Sequence, residues 1–270
     1  MKAILLAAVL VTASASAQEL RFDPDPAKLS DAMASLARQV MANYREENRE
    51  KYLNNLFRLQ IVAGQYSEAV ATIRALREVR KGEEPARAGA ATTVHELLAQ
   101  ARLKGPAVDF APAWKEALRR RLGEMDDKAA LRFEATLWWT TDRSRADLQK
   151  ALDSLKPNAL SLEEALDLVW IYEMHRTYEA ILPLTSEVLA DHDRRRYEIQ
   201  TDVLIKTRDG ASVSAVVVRP QNASRPLPTA FEFTIYANDF NLYEAKRSAA
   251  NGFAGVVAGL ALHTIPRVDT

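Results

Sequence analysis

Four histidines, His95, His175, His192 and His263, are the residues of this chain best suited to moving a proton or holding a metal. A helix that ligates a metal through two histidines spaces them at i+3 or i+4, so that both rings leave one face. None of the four has such a partner. Asp191-His192-Asp193 puts three potential ligands side by side, but adjacent residues point apart along a chain, and the triplet reads as a solvated boundary. No metal and no other cofactor is expected. Cysteine is absent, which removes disulfides, thiolate ligands and a thiol nucleophile together. Trp138-Trp139 and Trp170 lie among apolar residues at helical spacing and read as packing anchors rather than a sugar platform. Arg119-Arg120-Arg121 and Arg194-Arg195-Arg196 read as solvated faces.

The composition narrows the partners. Lys plus Arg and Asp plus Glu are equal at 36 each, so no net basic field attracts nucleic acid. The N-terminus, MKAILLAAVLVTASASAQE, has a charged Lys2, an apolar run from Ile4 to Val11 and a small-residue site at Ala15-Ser16-Ala17. That is the pattern of a signal peptide over residues 1–17, cleaved after Ala17, and predicts a secreted or periplasmic protein. A membrane span needs roughly 20 apolar residues. No stretch reaches that length, and no membrane span is expected.

Helical periodicity dominates residues 18–194. Asp23-Pro24-Asp25-Pro26 is a stiff polar lead, with Ser30 and Asp31 as caps for a helix carrying Met33, Leu36, Ala37, Val40 and Met41. Leu53, Leu56, Leu59 and Ile61 then predict one apolar face, Ala63-Gly64-Gln65-Tyr66 a tight turn, and Ala69, Ile73 and Leu76 the face of the next helix. This pair resembles a tetratricopeptide unit. A second, imperfect pair is expected at Ala165 to Leu189, turning at His175-Arg176-Thr177-Tyr178 with Pro183 in its second helix. Between them lie a link from Gly82 to Ala91, a break at Gly105-Pro106, another at Pro157-Asn158, and helices near Val94–Leu103, Ala113–Leu122, Asp127–Trp139 and Leu148–Leu155. Two units so far apart are not an array, so an irregular all-helical domain is expected.

After the charged LADHDRRR, Leu189 to Arg196, the period changes to two. Ile199, Thr201, Val203 and Ile205 alternate with polar neighbours, Asp209-Gly210 suits a two-residue hairpin turn, and Ser212 to Arg219 returns. Thr229 to Tyr236 reads as an inner strand and Tyr243 to Asn251 as a helix closed by Gly252. Phe253 to Ala258 is a continuous apolar run suited to a parallel strand. The fold class is therefore α+β: a helical domain over 18–194, then over 195–270 a hairpin, strand, helix and strand, the order in which an α/β-hydrolase sheet begins.

The residues IQTDVLIKTRDGASVSAVVVRP, PTAFEFTIY and NLYEAKRSAANGFAGVVAG, in that order, resemble the start of the CocE/NonD hydrolases, relatives of the Xaa-Pro dipeptidyl-peptidases. The resemblance covers roughly Arg195 to Gly259, and the helical region also resembles the N-terminal extension of a periplasmic subset. It implies an exported serine hydrolase acting on a small-molecule ester or a peptide bond through an acyl-enzyme. It also implies that Tyr236, just after the third strand, donates its hydroxyl to the oxyanion of the tetrahedral intermediate, a contact worth about 2.7–4 kcal/mol. The implied nucleophile is a serine in G-x-S-x-G on a strand-to-helix turn. No such pentapeptide occurs. Gly210-Ala211-Ser212-Val213-Ser214 follows a hairpin turn, lacks the second glycine and reads as strand, and His263 is no base without a nucleophile before it. Beyond Gly259 the tail LALHTIPRVDT departs from the family's Arg-Gly continuation, as a frameshifted or mis-set gene end would. The chain is expected to be truncated and inactive. The alternative is a periplasmic module that binds a protein partner through its helices, with the β segment a remnant.

Overall fold

A computed structural model describes residues 20–23, 25–84, 89–105, 109–155, 160–221, 223–235 and 240–260. The signal-peptide segment 1–17, Tyr236, His263 and the proline breaks at Pro106 and Pro157 lie outside these residues. The architecture is α+β. Helices α1 (Leu29–Asn43), α2 (Arg49–Val62), α3 (Tyr66–Val79), α4 (Ala91–Arg102), α5 (Phe110–Gly123), α6 (Asp127–Ala135), α7 (Thr141–Asp153) and α8 (Leu162–Arg196) precede a four-stranded mixed sheet. The sheet consists of β1 (Tyr197–Lys206), β2 (Ser212–Pro220), β3 (Thr229–Thr234) and β4 (Ala254–Leu260), with α9 (Phe240–Ala249) between the last two.

Two helical cores are divided by α2 and α8. The first gathers Leu53 and Phe57 of α2, Ile73 and Leu76 of α3, Leu97 of α4, Trp114 of α5, Phe133 of α6 and Ile181 of α8. The second gathers Leu36 and Val40 of α1, Leu59 of α2, Leu148 of α7 and Leu168 and Val169 of α8. The single face expected on α2 is thus two: Leu53, Phe57 and Ile61 enter one core and Leu59 the other, while Leu56 is only half-buried. A helix sandwiched between cores needs apolar residues around most of its circumference, and Phe57 fills the place assigned to Leu56. The turn after α2 forms as expected. Gly64 takes a φ of +78°, and Gln65 N–H reaches back to the Gln60 carbonyl at 2.8 Å, so the chain reverses into α3.

Three local expectations are corrected. Ser30 and Asp31 lie inside α1, and the cap falls earlier, where Asp25 accepts from Ala27 N at 3.0 Å and opens a 3₁₀ turn, Pro26–Lys28. Proline at that position costs nothing, because the first amides of a helix have no intrahelical partner. Helix α6 ends at Ala135, short of Trp139, as Thr136 Oγ1 donates to the Phe133 carbonyl at 2.6 Å and releases both tryptophans from the helix. Helix α7 accordingly starts at Thr141, well before Leu148.

The second helical pair does not exist. Leu162–Arg196 is one helix of 35 residues, opened by a reciprocal capping box between Ser161 and Glu164 and closed by three arginines that complement its dipole. His175-Arg176-Thr177-Tyr178 has no glycine to leave the helical region, and the helix is held on either side of it by the two cores, Tyr172 in the second and Tyr178 in the first. Pro183 removes the amide that would have bonded the Glu179 carbonyl. The turn around it stays closed by Thr185 Oγ1, which donates to the Ile181 carbonyl at 2.7 Å.

Arg196 is followed directly by β1 at Tyr197. The strand order is β1-β2-β4-β3, with β4 antiparallel to β2 and parallel to β3. The hairpin turn is one residue longer than expected: Thr207 N–H bonds the Ala211 carbonyl at 2.9 Å across Arg208-Asp209-Gly210, and Gly210 carries the left-handed φ of +86°. A β-bulge between Gln200 and Val203 changes the pairing parity, from Ile199 opposite Val218 to Val203 opposite Ala215. Cross-strand partners share a face. Ile199 therefore points toward α9 and Val203 away from it, so the four residues expected on one face of β1 are split by the inserted residue.

Helix α9 packs Ala245 and Ala249 on Val218, Val257 and Tyr197 to form a third core. Gly252, at φ +85°, ends the helix as expected, with Phe253 N–H on the Ser248 carbonyl at 3.2 Å. Strand β3, read as an inner strand, is at the sheet edge among the described residues, and its Phe231 and Phe233, opposite Val256 and Ala258, are exposed on the face away from α9. Such a row promotes association. Replacing both with threonine, which keeps β propensity, is expected to change stability by no more than about 0.5 kcal/mol and to lower self-association in sedimentation velocity. Unchanged sedimentation would show that the row is not the sticky surface.

Candidate functional site: a tryptophan-lined cleft above a buried serine–histidine pair

His95 and His175 are buried, and His192 is half-buried. His95 is buried in the first core, its Nδ1 2.7 Å from Glu173 Oε1, and the same carboxylate takes Arg58 Nη1 at 2.6 Å and Thr177 Oγ1 at 2.7 Å. Burial alone would push the Glu173 carboxyl up, but His95, Arg58 and Thr177 outweigh it and bring it down to about 2. Neighbouring Tyr178 is pushed up to about 12 by burial and by the Glu173 charge. Glu96, also buried, holds Arg74 at 3.3 Å, Arg121 at 3.0 Å and Arg77. Arg121 and Arg196, each read as part of a solvated face, are both paired, Arg196 to Asp127 at 2.6 Å. These pairs tie α2, α3, α4, α5 and α8 together.

His175 meets Ser144, its Nδ1 3.0 Å from Oγ, and both side chains are buried. Burial lowers the His175 pKa, with Arg145 and Arg176 acting in the same sense against Glu179, so the ring is neutral near pH 7. Ser144 Oγ also donates to the Thr141 carbonyl at 3.0 Å. With the hydroxyl proton on that carbonyl, the matching assignment puts a proton on Nδ1, which donates to Oγ, and Nε2 faces Glu179 at 3.8 Å, beyond hydrogen-bond reach. A nucleophilic serine needs the reverse, a base nitrogen accepting its proton. The pair therefore pins α7 to α8. Sequence reading missed it because the partners stand 31 positions apart with no motif between them.

Above this pair lies a cleft of about 700 Å³, within the roughly 300–1,000 Å³ of ordinary ligand sites. One wall is α7, with Arg143, Asp147 and Lys150; the other is α8, with Trp170 and Met174; Trp138 and Trp139 close the end. Trp139 stacks on Tyr178 at 5.7 Å between ring centres and is an anchor, as expected. Trp138 and Trp170 are not buried anchors: 49% and 40% of their surfaces remain exposed. Trp138 leans edge-on against Tyr243 and Phe240 of α9 at 4.5 and 5.3 Å, and Arg58 stands over the Trp170 ring at 5.7 Å.

The remaining sequence candidates resolve simply. Ser212 and Ser214 lie in β2 as expected, Asp191 pairs with Arg194, and Asp193 joins Glu134 around the buried Lys246 ammonium. Among the described residues no group of histidines and carboxylates could hold a metal, and no helix is long and apolar enough to cross a membrane. Tyr236 lies outside the described residues, so its position relative to the sheet is not part of this geometry. Compared with protein-family models, curated proteins and solved structures, the chain matches none.

Proposed function

We propose that this chain belongs to an exported serine hydrolase of the CocE/NonD, Xaa-Pro dipeptidyl-peptidase-like type, cleaving an ester or peptide bond, and that it supplies a helical part with tetratricopeptide-like packing and the opening strands of the catalytic sheet. The observation that carries this reading is the strand arrangement: an antiparallel hairpin whose second strand is followed across the sheet by β4 and then β3, these two parallel and joined through α9. That is how an α/β-hydrolase sheet opens. In this reading Tyr236, two residues past the end of β3, is the oxyanion donor. Among the described residues the only serine–histidine hydrogen bond is Ser144–His175, whose hydroxyl donates to a carbonyl, and this reading expects no activity from the 270 residues alone.

Two experiments test this. Sequencing the coding DNA beyond the Gly259 codon should reveal, in one of the three frames, a G-x-S-x-G between a strand and a helix pattern; its absence from all three overturns the family reading. Treating the purified chain with a fluorophosphonate probe should give no labelled serine, and stoichiometric labelling would overturn that expectation. A second reading, a binding module built on the helices, is favoured by the open tryptophan cleft.

A further inference from the structure

We propose that the cleft between α7 and α8 binds a small planar aromatic anion, an aryl carboxylate or a close equivalent. The proposal stands apart from the hydrolase reading and uses none of its residues. Three of the four tryptophans of the chain line this one cavity, and two of them keep large exposed surfaces. An indole face left in water inside a concavity offers a flat apolar body both stacking and release of hydration.

The polar groups around the cleft are donors in excess. Most arginines near the helical cores are paired, among them Arg58, Arg74, Arg77, Arg121 and Arg196. Arg143 and Lys150 are not: neither has a carboxylate within salt-bridge distance among the described residues, although Asp147 stands between them on the same wall. With Asp147 the only carboxylate lining the cavity, the wall carries a net positive charge. Trp139 Nε1 is buried with no hydrogen-bond partner, and Thr140, at the start of α7, does not use its hydroxyl to cap the helix. An unpaired buried N–H is costly, so the end of the cleft at Trp139 keeps an unsatisfied donor. Apolar ring on α8, anion toward Arg143 and Lys150: these are the two requirements the residues set.

The cleft's own tryptophans report the test. Naphthalene-2-carboxylate added to the full chain should bind saturably in calorimetry and change the intrinsic fluorescence, since the fourth tryptophan, Trp114, is sealed in the core. Naphthalene-2-carboxamide, with the same ring and no charge, should bind about 10-fold more weakly, and the Arg143→Ala/Lys150→Ala double variant should lose about 10-fold for the carboxylate while leaving the amide unchanged. Trp170→Leu should weaken both probes. These are exposed positions, and unchanged circular dichroism verifies folding. Absence of saturable carboxylate binding up to about 1 mM, or equal affinity for carboxylate and amide, overturns the proposal.

Discussion

Glu173→Ala is expected to remove about 3–5 kcal/mol of stability, read as a lower urea midpoint at an unchanged slope. The carboxylate is wholly buried and, among the described residues, is the only anion bonded to both His95 and Arg58, whose side chains are themselves 2% and 12% exposed. Removing it strands a guanidinium and an imidazole between α2, α4 and α8. Glu173→Gln separates charge from shape, because the amide can still accept from Thr177. The pH dependence follows from the direction of the shift. The folded-state pKa, about 2, lies below the ordinary glutamate value of 4.5, so this carboxylate stabilises the fold fully above about pH 5 and the contribution is lost as pH falls toward 2. The wild-type chain should lose roughly 3 kcal/mol over that interval from this group alone. The Gln variant should show a correspondingly flatter profile, and parallel profiles would mean that the network does not bind the charge.

Gly255→Ala is expected to cost about 3 kcal/mol or more, at the upper end of overpacking. A Cβ built on Gly255 would collide with the Ala245 carbonyl oxygen and stand 2.8 Å from its carbon. The obstacle is backbone, not the end of a flexible side chain, so no rotamer change relieves it and α9 must lift from β4. Trimming Ala245 to glycine should not rescue the variant, for the same reason. Gly123→Ala, at the end of α5 with nothing within 4 Å of its added methyl, is the matched control and should be neutral or slightly stabilising. Equal midpoints for the two variants would show that α9 is not pressed onto the sheet.

Legibility differed by the range of the interaction. The α2–α3 pair, the Gly64 turn and the Gly252 helix end could be read directly, because each depends on a few adjacent residues and on a φ that glycine adopts freely. The cleft could not. Trp138, Trp139 and Trp170 are apolar in sequence whether buried or exposed, and only the early end of α6 and the line of α8 turn two of them outward. The Glu173 network was equally hidden, since Arg58, His95 and Glu173 carry no shared motif and lie 115 and 78 residues apart.

The residues read in order already specify an α+β chain, the α2–α3 pair, and a hairpin, strand, helix and strand that close the described part. Those features follow from periodicity and turn chemistry, which act over one or two turns of chain. Long-range packing makes Ala165 to Leu189 one strut rather than a hairpin, divides the faces of β1 at the bulge after Gln200, and gives Glu96 and Glu173 three or more partners each. Local propensity at His175-Arg176-Thr177-Tyr178 is compatible with either a turn or a helix. The helix prevails because two cores, assembled from distant segments, bury opposite ends of the same rod.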